Sequence, residues 1–221
     1  LTGVLLQEKR AKRFWVQVPN NKVKDWEKEY NLGMPSLSVQ AATPDMVKDK
    51  GGRFKLYSAM ASSEASVLVF PESMATEVQL SPQTDKEISE VIYQDQVRFV
   101  TGGQPKNQEK YKDRIRATLD TSAARQSSVS FEAFNCDAII TDELHQMKNL
   151  FSPYRVSTEV SQLNSVADST RGISLLKKYE YLRNTNPKGK PNTFGLTATP
   201  MTNSPLEFWN MLYHINSEAL R

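Results

Sequence analysis

The sequence predicts an α/β fold, a parallel sheet with helices on both faces, and three observations carry that expectation. Short continuous apolar runs, FWVQV at 14–18, SVLVF at 66–70 and CDAII at 136–140, have the composition of strands buried on both faces. Stretches with helical apolar spacing stand between them, the alternation that builds crossover connections. The last run leads into two adjacent carboxylates, Asp142 and Glu143. Such a pair delivers negative charge to the carboxyl edge of a sheet, where open α/β folds place their ligands.

The elements follow in order. LTGVLLQEKR at 1–10 has helical apolar spacing and no capping residue before it. After the strand at 14–18, Pro19-Asn20-Asn21 turns the chain, and Val23, Trp26 and Tyr30 mark a helix among Lys and Glu. A short strand is expected at 36–40, a polar loop at 43–52 on account of Pro44 and Gly51-Gly52, and a weak strand at 53–57. The strand at 66–70 stops at Pro71. VFPESMATEVQLSP at 69–82 fits no chemical motif and reads as a structural element. Ser81-Pro82 then opens a helix carried by Ile88, Val91 and Ile92. Residues 101–105 form a loop, and 106–125 a basic helix with Tyr111, Ile115 and Leu119 as its stripe; its charges read as a solvated face before they read as a DNA contact. A linker at 127–130 leads to the central strand. Residues 151–168 are irregular, 170–183 helical, 184–191 a basic loop, 193–196 a strand, and a helix runs from Pro205 through Ile215.

Composition removes several function classes. The chain has 221 residues, 38% hydrophobic and 24% charged, enough for one domain or large lobe with a substantial core. No apolar run reaches membrane-spanning length, so no membrane partner is expected. One cysteine, Cys136, rules out an internal disulfide and a cysteine-rich zinc site, and two histidines disfavour a histidine-based metal site. A net charge of +3 permits contact with a phosphate backbone without arguing for it.

The chemistry gathers at 137–148, DAIITDELHQMK. In a nucleotide hydrolase the two acids divide the work. Asp142 holds Mg²⁺, usually through water, and Glu143 orients and deprotonates the attacking water. The plainer reading is a solvated helix start, the usual fate of an Asp-Glu pair; Trp26 and Trp209 likewise read first as core packing. A second motif decides between the two readings of the acids: GLTATPMTNSPLEFWNML at 195–212.

TDELHQMKN at 141–149, followed by that second motif, resembles motifs II and III of superfamily 2 helicases in their Swi/Snf-type branch. VPNNKVKDWEKEY at 18–30 resembles motif Ia of the same branch. The resemblance implies a RecA-like lobe (residues 1–221) that uses ATP and Mg²⁺ to drive translocation on DNA, usually duplex. It implies that His145, counted with Glu143 among the catalytic residues, contacts Thr197 or Thr199, joining the nucleotide site to the DNA-binding edge. Asp142, Thr197 and Thr199 become the cofactor-side residues; Pro19, Asn20, Asn21, Lys148 and Asn203 become the nucleic-acid contacts. A finer similarity is to helicases of phages and mobile elements, often fused to an adenine-specific DNA methyltransferase. The expected location is the cytoplasm for a prokaryotic or phage protein and the nucleus for a eukaryotic one.

One part of the pattern is missing. A phosphate-cradling loop needs a Gly-rich run ending in Gly-Lys-Ser/Thr, and the sole Gly-Lys, at 189–190, is followed by Pro191. The helix at 1–6 resembles the one that directly follows that loop. The expectation is therefore an incomplete first lobe, with the loop upstream, the second lobe as a partner within the same polypeptide, and little ATP hydrolysis by this chain alone. Two alternatives stay open: a non-catalytic RecA-like module that binds DNA or protein, and a DExH-type RNA helicase lobe. Lys148-Asn149 and the Asn203, Glu207, Trp209 pattern favour the DNA branch.

Overall fold

The computed structural model describes residues 1–47, 49–98, 105–123, 129–151, 169–185, 192–200 and 205–217. Five strands form one sheet: β1 (Phe14–Val18), β2 (Val39–Ala41), β3 (Val67–Pro71), β4 (Ala138–Thr141) and β5 (Thr193–Gly195). Their order is β2-β3-β1-β4-β5, and every pairing is parallel. β1 is the central strand, with all five of its residues buried. The architecture is the expected α/β one and is consistent with a RecA-like fold.

Period-two alternation divides the sheet's side chains between two cores. Phe14, Val16, Val18, Val67, Val69, Ala138 and Ile140 face α1 (Thr2–Gln7) and α2 (Val23–Gly33). Trp15, Leu68, Phe70 and Ile139 face the larger helical layer on the other side. That layer holds α3 (Lys50–Ser62), α4 (Glu72–Glu77), α5 (Pro82–Arg98), α6 (Pro105–Ala123), α7 (Thr170–Thr185) and α8 (Pro205–Ile215). Its centre is aromatic: Trp15 stacks on Phe70 at 3.9 Å between ring centroids, and Phe131 and Phe134 meet Trp15 edge-on. Such arrangements stabilise by about 0.5–1.5 kcal/mol per pair beyond area burial.

Two sequence expectations fail at 43–57. The described residues from 43 to 49 are irregular apart from a single 3-10 turn at Pro44–Met46, and the helix α3 then takes the end of the expected loop and the whole of the weak strand. The reason is a cap: the Asp49 carboxylate accepts the Gly52 amide at 2.7 Å, satisfying one of the helix's unpaired first-turn donors. Gly51 and Gly52 therefore begin a helix where a Gly pair ordinarily ends one. Tyr57 and Met60, three residues apart, seat it on the core. Arg13 closes the other end, donating to the carbonyls of Met60 and Ser63. The stretch at 69–82 contains α4, which begins directly after β3. β4 starts at Ala138 rather than at Cys136, and Cys136 is buried.

The outer layer is tied down by buried lysines on α7. Lys177 Nζ lies 2.8 and 2.9 Å from the Asp85 carboxylate oxygens on α5 and donates to the Leu119 carbonyl of α6. Burial lowers the Lys177 pKa from the ordinary lysine value, against the opposing pull of Asp85. Lys178 donates to the Ala75 carbonyl at 2.8 Å and to Ser174 Oγ at 2.9 Å. Full burial pushes its pKa down to about 7.

Candidate nucleotide site

β4 ends at the carboxyl edge of the sheet, and the next six residues make a tight polar turn. Glu143 sits in the left-handed region, with φ 52° and ψ 48°, a conformation that costs a non-glycine residue about 1–2 kcal/mol. Packing and hydrogen bonds hold it there. The Leu144 amide donates to the Leu196 carbonyl at 2.9 Å, and the Leu196 amide donates to the Thr141 carbonyl at 2.8 Å. Leu144 is buried beneath the turn, so close to β5 that a Cβ on Gly195 would lie 2.2 Å from Leu144 Cδ2. Glycine at 195 is thus required by close approach.

The turn rests on α7 and α8. The Tyr179 hydroxyl donates to the Phe194 carbonyl at 3.1 Å and accepts from Thr141 Oγ1 at 2.9 Å, which joins the ends of β4 and β5. A Cβ on Gly172 would meet the Met147 carbonyl oxygen at 2.9 Å, so α7 packs backbone against backbone. From α8, His214 Nε2 lies 3.0 Å from that same carbonyl oxygen. Burial pushes the His214 pKa down to about 4, which keeps the ring neutral and donating through Nε2.

On the solvent side of this support lie the predicted acids. Asp142 and Glu143 are both partly buried. The Asp142 carboxylate accepts the Glu143 amide on Oδ1 at 3.0 Å and the Trp26 indole N–H on Oδ2 at 2.9 Å. His145 Nδ1 stands 3.1 Å from Glu143 Oε2 and 3.0 Å from Thr197 Oγ1. The contact with Thr197 is a hydrogen bond whose donor depends on the His145 tautomer, and the Glu143 carboxylate stands beside it. Thr197 Oγ1 also accepts the Thr199 amide at 3.2 Å. His145, Thr197 and Thr199, about fifty residues apart in sequence, therefore form one hydrogen-bonded chain, and the Glu143 carboxylate stands against the His145 ring.

A cleft of about 380 Å³ is lined by Leu1, Thr2, Trp26, Tyr30, Ile140 and Leu196 among others; Asp142 does not line it but is joined to its wall by the Trp26 indole. Among the described residues no three His, Cys, Asp or Glu side chains cluster as a metal cage. The donor set suits Mg²⁺ held by one carboxylate through water and by phosphate oxygens, the usual mode for that ion.

The expected nucleic-acid residues do not all stand free. Lys148 Nζ lies 3.0 Å from Glu207 Oε1 of α8, with both side chains largely buried. Asn20 is exposed but its Oδ1 accepts the Ser73 amide of α4 at 3.1 Å. Asn21 is exposed and Pro19 partly so, at the end of β1 on the same sheet edge. Asn203 lies outside the described residues. Of the two tryptophans expected in the core, Trp209 is 40% exposed, whereas Trp26 packs partly buried against the smaller core and also bonds the acidic turn. Trp26, Tyr179 and His214 escaped sequence reasoning as site residues. Only Trp26 left a signal, because it falls inside the stretch that resembles motif Ia.

No protein-family model matches the chain. A stretch of 87 residues is 32% identical to "Defense against restriction protein B" of Escherichia phage P1, covering 38% of this chain and 4% of that protein. The similarity is to a small part of a far longer phage protein. Among the described residues no helix is long and apolar enough to cross a membrane.

Proposed function

We propose that this chain is part of the ATP-hydrolysing lobe of a Swi/Snf-type DNA helicase or translocase, phage-like in origin. The observation that carries the reading is the hydrogen bond between His145 and Thr197 at the carboxyl edge, with the Glu143 carboxylate 3.1 Å from the same ring nitrogen and Asp142 next to it in the turn. A solvated helix start has no use for a strained glutamate, a histidine bridge and a threonine brought from another strand. The similarity to a phage protein supports the finer resemblance to phage-encoded motors.

In this reading Asp142 faces the water shell of Mg²⁺-ATP, and the ion supplies charge stabilisation at the phosphates. Glu143 accepts a proton from the attacking water. Its backbone conformation and His145 fix where its carboxylate points. Thr197 exchanges partners at low cost, since its hydroxyl both donates and accepts, and it lies on the loop after β5 that would report the nucleotide's state to DNA. Pro19, Asn20 and Asn21, at the end of β1, are the contacts for a DNA phosphate, Asn21 exposed and Asn20 offering its side-chain N–H groups while its Oδ1 accepts the Ser73 amide.

The test is steady-state ATP hydrolysis by the full-length polypeptide with and without duplex DNA, beside its Glu143→Gln variant. Turnover stimulated by duplex DNA should fall by about 10²–10⁴-fold in the variant. Undiminished turnover by Glu143→Gln removes the assignment. Stimulation by RNA in place of DNA selects the RNA-helicase reading, and no turnover with intact DNA binding selects the non-catalytic module.

A further inference from the structure

We propose that Trp26 is a positioning residue for the cation-facing carboxylate of Asp142, an inference that rests on the nucleotide-hydrolase reading above. The indole nitrogen has one hydrogen and no acceptor capacity. Its bond to Asp142 Oδ2 at 2.9 Å, with the Glu143 amide on Oδ1 at 3.0 Å, restrains the carboxylate at both ends. A carboxylate so restrained keeps its remaining lone pairs for water or a cation. Partners of this kind orient a metal-facing ligand without touching the metal.

The indole is itself held. Its ring packs against Tyr30 at 5.9 Å between centroids, and the Tyr30 hydroxyl is 2.9 Å from Thr2 Oγ1 on α1. The path from α1 through α2 to Asp142 runs along the wall of the 380 Å³ cleft, which both Trp26 and Tyr30 line. Packing alone does not account for the bond. Trp15 is fully buried in the main core, yet its indole nitrogen has no partner among the described residues. This fold therefore leaves an indole N–H unused where the ring serves as filler. Trp26 is only partly buried, and water was available to it instead.

The experiment replaces the N–H and keeps the ring, using Trp26→Phe in the full-length polypeptide. Four quantities are measured: the Mg²⁺ concentration for half-maximal DNA-stimulated hydrolysis, the ATP KM at saturating Mg²⁺, Mn²⁺ binding with ATP in a Glu143→Gln background by electron paramagnetic resonance, and the melting temperature. The Mg²⁺ requirement should rise and Mn²⁺ affinity fall by about tenfold, with the ATP KM at saturating Mg²⁺ and the melting temperature unchanged. Unaltered metal dependence, or an equal loss at every Mg²⁺ level with a lowered melting temperature, overturns the proposal in favour of packing. If Trp26→Phe fails to fold, β-(3-benzothienyl)alanine placed at 26 keeps the bicyclic shape without the N–H and decides the same question. A wild type that binds Mn²⁺ and ATP without turnover removes the hydrolase reading while the binding comparison still decides the role of Trp26. A wild type that binds neither removes both.

Discussion

Two turns leave the same edge of the sheet side by side, one after β1 and one after β4, and they are built in opposite ways. After β1, residues 19–22 close on a single backbone bond, from the Lys22 amide to the Pro19 carbonyl, and leave Asn20 and Asn21 exposed. After β4, a left-handed glutamate, a buried leucine, two strand-end backbone bonds and two supporting helices fix nearly every group. The first turn ties down Asn20 Oδ1 and Lys22 but keeps Asn21 and the N–H groups of Asn20 open to a partner from outside. The second spends stability to hold carboxylates in one arrangement before any ligand arrives, which is how a site preorganises charge.

The contrast can be broken most forcefully at its support. Gly172→Ala drives a methyl into the Met147 carbonyl, and backbone cannot yield as a side-chain end can. We expect a loss of about 1–3 kcal/mol by urea denaturation, with hydrolysis by the full-length polypeptide falling too. Tyr179→Phe removes the side-chain link between the ends of β4 and β5 and should cost about 1–2 kcal/mol, since it takes the partner from the Thr141 hydroxyl in the core. An unchanged denaturation midpoint for either variant shows that the turn is less constrained than its contacts imply.

Glu143→Gly sharpens the comparison, because it separates stability from chemistry. Relief of the left-handed strain should raise stability by about 1 kcal/mol while hydrolysis is lost. A destabilised glycine variant means that the Glu143 side chain contributes more to the fold than its conformation costs. Acid tests the same support from His214. Its folded pKa, about 4, lies below the ordinary 6.5. The unfolded chain therefore binds the extra proton between these values, and stability is lost as pH falls through that window. His214→Gln should flatten this slope in denaturation midpoints taken from pH 7 to pH 4. The smallest effect belongs to the open turn: Asn21→Ala should leave the melting temperature in place and weaken DNA binding alone.

The sheet was legible because doubly buried strands advertise themselves as apolar runs, and FWVQV, SVLVF and CDAII each lie on one. α3 was not, because its start depends on Asp49 reaching forward to a glycine amide, and a Gly pair without that bond reads as a loop. The acids, His145 and Thr197 were visible through spacing and resemblance. Trp26 was hidden for a different reason: apolar periodicity assigns a helical tryptophan to the core and says nothing of where its N–H points. Lys148 shows the converse limit, since a lysine beside an acidic motif suggests DNA until Glu207 is found buried against it.

The lysines of α7 have a consequence for how the molecule breathes. Separating α7 from α5 or α4 would strand the Lys177 ammonium, the Asp85 carboxylate and the Ala75 carbonyl, each deprived of its partner in an apolar layer. Partial opening is therefore penalised at every intermediate stage, and this layer should exchange its backbone amide hydrogens as one unit with a shared opening free energy. Amides of the turn after β1 should exchange through small, independent openings that leave the layer shut.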